Sequence, residues 1–384
     1  MSGPFSRSLL RIEGPAVLWE SKPMPAPAAG GLVDFGLHVG GNRGWAGAYL
    51  KALDADTAGG QVKNDMLQYH PCFAQPVGSP GGSITTRINP GRITTRVSQG
   101  IYQIRRLGGV YMAAESNPLY GLVYRGIFGA GPGPHRNEIG NLAPAGPILC
   151  GETREFSLNA AAGVDVPNPS PIEPFMWTLF GRCLVADIGC VPGEIMAFAS
   201  ARASGTVRGW GTTYSPANSR FSVGEYTAAP FLVGKDGASS AFTDSRWAFF
   251  FRFIGTPKGG LMGAVPPMPK RARITPPLLW MSAPIPMSAG LAPVHFAMPD
   301  DFSPALVNAM YLCKTPELGF STGDWVPVSE GDNNGSQAGY AATFNRRTVT
   351  LSPCTSGMAI HSLVDGSNAV MNISNWSWFF VFVG

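Results

Sequence analysis

Pro15-Ala16-Val17-Leu18-Trp19-Glu20-Ser21-Lys22-Pro23-Met24-Pro25 stands near the start of the chain, and Pro277-Leu278-Leu279-Trp280-Met281-Ser282-Ala283-Pro284-Ile285-Pro286 stands late in it. The two share Leu-Trp-x-Ser-x-Pro-x-Pro, with Trp280 lying 261 positions after Trp19. Half that distance predicts a further copy near residue 150. There Gly146-Pro147-Ile148-Leu149-Cys150-Gly151-Glu152 matches Gly14-Pro15-Ala16-Val17-Leu18-Trp19-Glu20 in everything but side-chain size.

The same spacing recurs downstream. Leu32-Val33-Asp34-Phe35 aligns with Gly163-Val164-Asp165-Val166 and with Pro293-Val294-His295-Phe296. Cys183-x3-Asp187-Ile188-Gly189-x3-Gly193-Glu194 aligns with Cys313-x3-Glu317-Leu318-Gly319-x3-Gly323-Asp324, 130 positions later. Ser245-Arg246-Trp247-Ala248-Phe249-Phe250-Phe251-Arg252-Phe253-Ile254-Gly255 aligns with Ser374-Asn375-Trp376-Ser377-Trp378-Phe379-Phe380-Val381-Phe382-Val383-Gly384, and Tyr120-Gly121-Leu122-Val123-Tyr124-Arg125-Gly126-Ile127 is a weaker version. Several matches in one order at nearly one offset define an internal repeat. Its period of about 130 residues exceeds that of a solenoid and suits a complete small domain. The expected division is 1–129, 130–256 and 257–384, with Gly/Pro-rich connectors after Gly129 and Gly255.

Each copy is expected to be an antiparallel β-sandwich or jelly-roll-like domain, so the fold class is all-β. Gly (49 residues) and Pro (35) punctuate short apolar runs, while 45% of the 384 residues are hydrophobic. That is the pattern of many short strands between turns, and long helical periodicity is missing. In the middle copy extended segments begin around Ile148, Phe156, Met176, Ile195, Thr206, Phe221, Phe231 and Trp247. In the closing segment Trp247, Phe249, Phe251 and Phe253 alternate on one side, with Phe250 and Ile254 on the other. A strand apolar on both faces is central in its sheet. Trp376, Trp378, Phe380 and Phe382 repeat the pattern, and all eight aromatics are expected in the core.

Chemistry-bearing motifs are scarce. No Gly-x-Ser-x-Gly elbow, phosphate-binding loop, His-Glu-x-x-His or Cys-x-x-Cys occurs, so the chain is not read as an enzyme. The six cysteines (Cys72, Cys150, Cys183, Cys190, Cys313, Cys354) are too few for a disulfide framework, and none has metal-ligand spacing with a histidine. No metal or cofactor is expected. His38, His70, His135, His295 and His361 occupy unrelated places in the repeats. The acid pairs Asp187 with Glu194 and Glu317 with Asp324 recur equivalently; they are read as turn caps, with a cation site as the alternative. Three Asn-x-Ser/Thr matches, at Asn334, Asn372 and Asn375, are read as incidental. Met1–Gly14 lacks the apolar core of a signal peptide, and the final apolar run is too short to cross a bilayer, so no membrane insertion is expected.

Charge is the remaining signal. Only 14% of residues are charged and the net charge is +4, which suits faces covered by sister subunits. From Met66 to Ala114 no acidic residue occurs, and Arg87, Arg92, Arg96, Arg105 and Arg106 lie there. Ile84-Thr85-Thr86-Arg87-Ile88 and Ile93-Thr94-Thr95-Arg96-Val97 flank Asn89-Pro90-Gly91, a hairpin turn. Arginines and hydroxyls on paired strands can hold phosphates; they can equally serve solubility. Lys270-Arg271-Ala272-Arg273 is a shorter basic patch in the second connector.

Ser245–Gly255 followed by Thr256-Pro257 resembles the last strand of jelly-roll capsid (coat) proteins of small icosahedral viruses, in which an aromatic strand ends in Gly and then Pro. The richness in Gly, Pro, Ala, Ser and Thr and the tandem β domains are similar as well. The likeness covers about a dozen residues per repeat and transfers no functional residue. It implies a structural protein of a virus particle, shell subunit or surface component, made in the host cytoplasm and self-assembling into a large homo-oligomer. Packaged nucleic acid would be its second partner, contacted by the arginine cluster. A multivalent carbohydrate-binding protein with three related modules is the alternative.

Overall fold

The computed structural model describes residues 9–12, 16–23, 32–36, 44–57, 61–69, 83–89, 92–98, 103–105, 111–113, 118–129, 140–142, 148–158, 164–198, 203–204, 207–208, 210–225, 231–233, 235, 239–241, 243–258, 279–287, 293–298, 306–330, 339–344, 348–353, 359–364 and 368–384. Within them the first third of the chain contributes β1 (Leu9–Ile12), β2 (Ala16–Ser21), β3 (Leu32–Gly36), β4 (Gly44–Ala52), β5 (Met66–Tyr69), β6 (Ser83–Asn89), β7 (Arg92–Ser98), β8 (Gln103–Arg105), β9 (Tyr111–Ala113) and β10 (Tyr120–Gly129). Next come β11 (Gly140–Leu142), β12 (Leu149–Glu152), β13 (Val164–Pro167), β14 (Ile172–Cys183), β15 (Ile195–Phe198), β16 (Ala203–Ser204), β17 (Val207–Arg208), β18 (Trp210–Ser215), β19 (Arg220–Glu225), β20 (Phe231–Val233), β21 (Ser239–Ala241) and β22 (Trp247–Pro257). The last third adds β23 (Leu279–Ser282), β24 (Ile285–Pro286), β25 (Val294–Ala297), β26 (Leu306–Cys313), β27 (Trp325–Glu330), β28 (Gly339–Phe344), β29 (Thr348–Pro353), β30 (Ala359–His361), β31 (Asn368–Val370) and β32 (Trp376–Val383). Short 3-10 turns at Asp244–Arg246 and Ile373–Asn375 lead into β22 and β32. The fold is all-β, built of antiparallel sheets packed face to face.

Three long ladders carry the architecture. One runs β11-β2-β10-β4-β5-β18-β19-β13; a second runs β12-β22-β14-β15-β28-β29-β25; a third runs β1-β23-β32-β26-β27-β6-β7-β3. A short parallel contact, Ser329↔Gly339 and Glu330↔Tyr340, links the second to the third. Each ladder obeys one rule. Four strands from one third of the chain are continued by three strands from the next third, and the last third is continued by the first. The junction pairs are Met66↔Tyr214, Ile195↔Phe344 and Trp325↔Ile88, which fall at equivalent places in the repeat. A head-to-tail contact that closes after three steps is a ring with pseudo-threefold symmetry.

The sheets are therefore shared between thirds of the chain. The strand that closes the middle third, β22, continues past Gly255 to Pro257, pairing Pro257 with Ile172. It lies between β12 and β14, which explains an aromatic run buried on both faces. Its partner β14 shifts register between Pro174 and Met176, where a proline that has no N–H to give would otherwise interrupt the ladder.

The core follows from the alternation. Phe251 stacks on Phe221 at 4.4 Å between ring centroids, and Trp177 meets Phe221 edge-on at 5.9 Å, joining the second ladder to the first. Tyr49, from the first third, meets the same Trp177 at 5.2 Å. In the last third Phe296 meets Phe380 at 5.7 Å and Phe382 at 6.0 Å. Trp247, Phe249, Phe253, Trp376 and Trp378 are also fully buried. The opposite face of the middle sheet is not solvated either: Phe180, Ala197 and Phe250 join the apolar cluster of the last third. Size is exchanged across the repeat. A Cβ on Gly151 would lie 2.4 Å from the ring of Phe253, its cross-strand partner, whereas Trp280 takes the matching position opposite Phe382.

Candidate functional site

Three polar devices recur around the ring; one joins side chains to each other and two engage backbone N–H groups. The first is a carboxylate that receives an aromatic donor. The Trp247 indole donates to Asp187 at 2.9 Å, the Trp376 indole to Glu317 at 2.8 Å, and the Tyr120 hydroxyl to Asp56 at 2.8 Å. The second is a carboxylate that accepts the N–H three residues before it: Val62 to Asp65, Val191 to Glu194 and Ser321 to Asp324. Asn64, Gly193 and Gly323, with φ of 71°, 92° and 90°, turn the chain just before these acids. The third is a hydroxyl that accepts a strand N–H: Tyr124 to Ser21, Phe251 to Thr153 and Phe380 to Ser282, each at 2.9–3.0 Å.

These bonds assign the acid pairs to turn construction, because their oxygens are engaged by backbone and ring N–H groups. Glu194 also holds Lys235, and among the described residues no group of three or more His, Cys, Asp or Glu is placed to hold a metal ion. Cys150, Cys183, Cys190 and Cys313 are free thiols. Burial pushes Cys150 and Cys190 up to about 12 and Cys313 to about 11, so none is a ready nucleophile near neutral pH. Asn372, read as an incidental sequon, caps the 3-10 turn before β32 by accepting from the Ser374 N–H.

The arginine segment forms the hairpin that its sequence suggested. β6 pairs with β7 from Ser83↔Ser98 to Asn89↔Arg92, so two residues, Pro90 and Gly91, connect the strands. Opposed residues share a face of a ladder. Arg87, Arg92 and Arg96 therefore share one face with Thr85, Thr94, Asn89, Ser83 and Ser98, and the other face carries Ile84, Ile88, Ile93 and Val97. Arg87 lies opposite Thr94, diagonal to both Arg92 and Arg96, at about 7–8 Å in such a ladder. Asp34 of β3, opposite Thr94, places an acid on that face, a residue that the charge count along the segment passed over. Arg105 belongs to β8, which pairs with β9 and not with the hairpin; Arg106 lies outside the described residues. The ladder thus brings together three of the five arginines. The same cross-strand place holds Asp165 with Ser222 at 2.6 Å and His295 with Thr350 at 3.0 Å in the other thirds.

One ionisable cluster is confined to the junction of the first and middle thirds. Glu173 accepts from the Tyr214 hydroxyl at 3.2 Å, Lys258 donates to the Asn168 carbonyl at 3.0 Å, and Arg125 of β10 donates to the Phe175 carbonyl at 2.8 Å while pairing with Glu20. Burial raises the Glu173 carboxyl above its ordinary value and lowers Lys258; burial chiefly raises Tyr214, to about 12. Asp65, from the first third, is likewise raised by burial. Sequence reasoning missed this cluster. The available signal is that the junction position of Tyr214 is filled by Phe344 and Ile88 in the other repeats. Among the described residues no helix is long and apolar enough to cross a membrane. Compared with family models, curated proteins and solved structures, the chain has no match in any of the three.

Proposed function

We propose that this chain is a structural protein of a virus particle, a shell subunit or surface component that self-assembles through its β domains. The observation that carries the reading is the cyclic sharing of sheets: one polypeptide supplies three equivalent β units around a pseudo-threefold axis, as a trimer would. Three equivalent units about one axis suit repetitive packing into a closed shell. The low charged fraction, 14%, suits a block whose sides meet neighbours. The polar face of β6–β7 is the candidate surface for packaged nucleic acid, through sequence-independent contacts to phosphates. The carbohydrate-binding alternative gains less support. The polar groups that recur three times satisfy turns and strand ends, and so leave no repeated ligand site among the described residues.

Negative-stain electron microscopy of the purified protein, with its absorbance ratio at 260 and 280 nm, tests the proposal. Closed particles, with or without co-purifying nucleic acid, are the expected result. A protein that stays as discrete monomers at high concentration, with a protein-only spectrum, overturns it.

A further inference from the structure

The three seams repeat one backbone ladder but differ in chemistry. Between the middle and last thirds, Ile195 lies opposite Phe344 and Met196 opposite Thr343. Between the first and middle thirds, Met66 lies opposite Tyr214 and Leu67 opposite Thr213. The next row brings Asp65 beside Ser215, which pairs with Arg220 of β19. Asp65 is 2% exposed. Its Oδ2 accepts the Val62 N–H at 3.0 Å, while its Oδ1 is buried with no hydrogen-bond donor among the described residues. Arg220, beyond Ser215, gives its Nη1 to Asp165 at 2.7 Å. The counterpart of Asp65 at the other seam, Glu194, accepts the Val191 N–H at 3.0 Å with one oxygen and holds Lys235 with the other.

We infer that Asp65 is a proton-operated latch on the seam between the first and middle thirds: protonated, it lets β5 lie closed against β18, and its ionisation loosens that ladder while the seam between the middle and last thirds stays shut. This inference does not depend on the proposed function. A protonated carboxyl is neutral and tolerates burial. A buried carboxylate with an oxygen that lacks a donor does not, and hydrating it requires the strands that cover it to part. The pairing of β5 with β18 spans two residue pairs, so parting them is a local event. Arg125 bonded to the Phe175 carbonyl, and Tyr49 packed on Trp177, cross the same seam without a carboxyl and keep the thirds joined.

The surrounding groups fix the direction of the response. Burial raises the Asp65 carboxyl above its ordinary value, against the pull of Ser215 in β18, the Val62 N–H and the Arg220 charge in β19. Asp165 of β13 stands behind Arg220. Successive residues of a strand point to opposite faces, so Tyr214 meets Glu173 on the far face of β18, where Lys258 and Arg125 also act on that carboxyl. Arg125 is in turn paired with Glu20, beside Lys51. The closed seam thus holds the Asp65 proton more tightly than the open one. The stabilisation is complete below the ordinary Asp value and is lost as pH rises through the raised value. Within that window the opening constant grows by up to about tenfold per pH unit, the limit for one proton.

Amide hydrogen exchange of the full-length protein between about pH 4 and 7, corrected for the intrinsic pH dependence of exchange, tests the latch. Protection of residues 66–67 and 213–214 should fall with rising pH, by up to about tenfold per unit, while that of residues 195–196 and 343–344 changes little. Asp65→Asn keeps an acceptor for the Val62 N–H but cannot ionise, and it should abolish the fall. Glu173→Gln, on the other face of β18, should leave the fall in place. No fall, a fall of equal size at both seams, or a fall that persists in Asp65→Asn overturns the inference. So does a fall that Glu173→Gln alone abolishes, since the responsible carboxyl is then on the other face. Where Asp65→Asn does not fold, the comparison of the two seams in the unmodified protein, with Glu173→Gln beside it, decides.

Discussion

Replacing Thr153 by valine probes the inward-turned hydroxyls one at a time. Thr153 follows the last paired residue of β12; its N–H donates to the Phe251 carbonyl at 2.9 Å, and its hydroxyl oxygen accepts the Phe251 N–H at 2.9 Å. The side chain is 3% exposed, so water does not replace a lost acceptor there. Valine keeps the shape but leaves that N–H without an acceptor, a cost of about 1–3 kcal/mol. The added methyl returns up to about 0.8 kcal/mol of apolar burial. Taking the middle of that cost, the net loss is about 1–2 kcal/mol, or roughly 5–30-fold in the folded-to-unfolded ratio. Equilibrium unfolding in urea reads it as a lower midpoint at unchanged slope. Thr153→Ser restores most of the loss, and Ser21→Ala and Ser282→Ala reproduce it, since each removes an equivalent acceptor. Valine at 153 within about 0.5 kcal/mol of wild type, or serine as damaging as valine, would refute the role given to the hydroxyl.

Three further outcomes follow from the shared sheets and the charges. Residues 130–258 expressed alone should fail to give a cooperative unfolding transition, because β18 loses its neighbour β5 and Trp177 loses Tyr49; a stable monomeric fragment would contradict the seam. Glu173 has a folded-state pKa raised by burial, so its contribution favours the fold at low pH and is lost as pH rises through that raised value. Glu173→Gln should therefore gain stability relative to wild type between pH 4 and 7, as read by urea midpoints across that range, and a gain that shrinks with rising pH would reverse the assignment. If the β6–β7 face holds nucleic acid, Arg87→Ala, Arg92→Ala and Arg96→Ala combined should weaken binding of a single-stranded oligonucleotide and lower the slope of log affinity against log salt by about 2. An unchanged slope removes those arginines from the interface.

The repeat, the all-β class and the hairpin were legible in the sequence because each depends on neighbours along the chain. Alternation in Trp247–Phe253 is a property of a single strand, and Asn89-Pro90-Gly91 fixes a turn between strands that it joins directly. The register of that hairpin, once fixed, also decides that Arg87, Arg92 and Arg96 share a face. The acid pairs could be located but not assigned, because the ring donors that engage Asp187 and Glu317 come from residues about 60 positions away. What only the tertiary structure decided is that the thirds do not close their sheets on themselves. Met66 meets Tyr214, Ile195 meets Phe344 and Trp325 meets Ile88 through backbone ladders that any residue could join. Backbone pairing carries no side-chain signature, so a sequence that states its repeat three times is silent about which copy each edge strand joins. The cyclic order is set by the packing of all three copies at once, with aromatic faces buried on both sides of shared sheets, and no single copy contains that information.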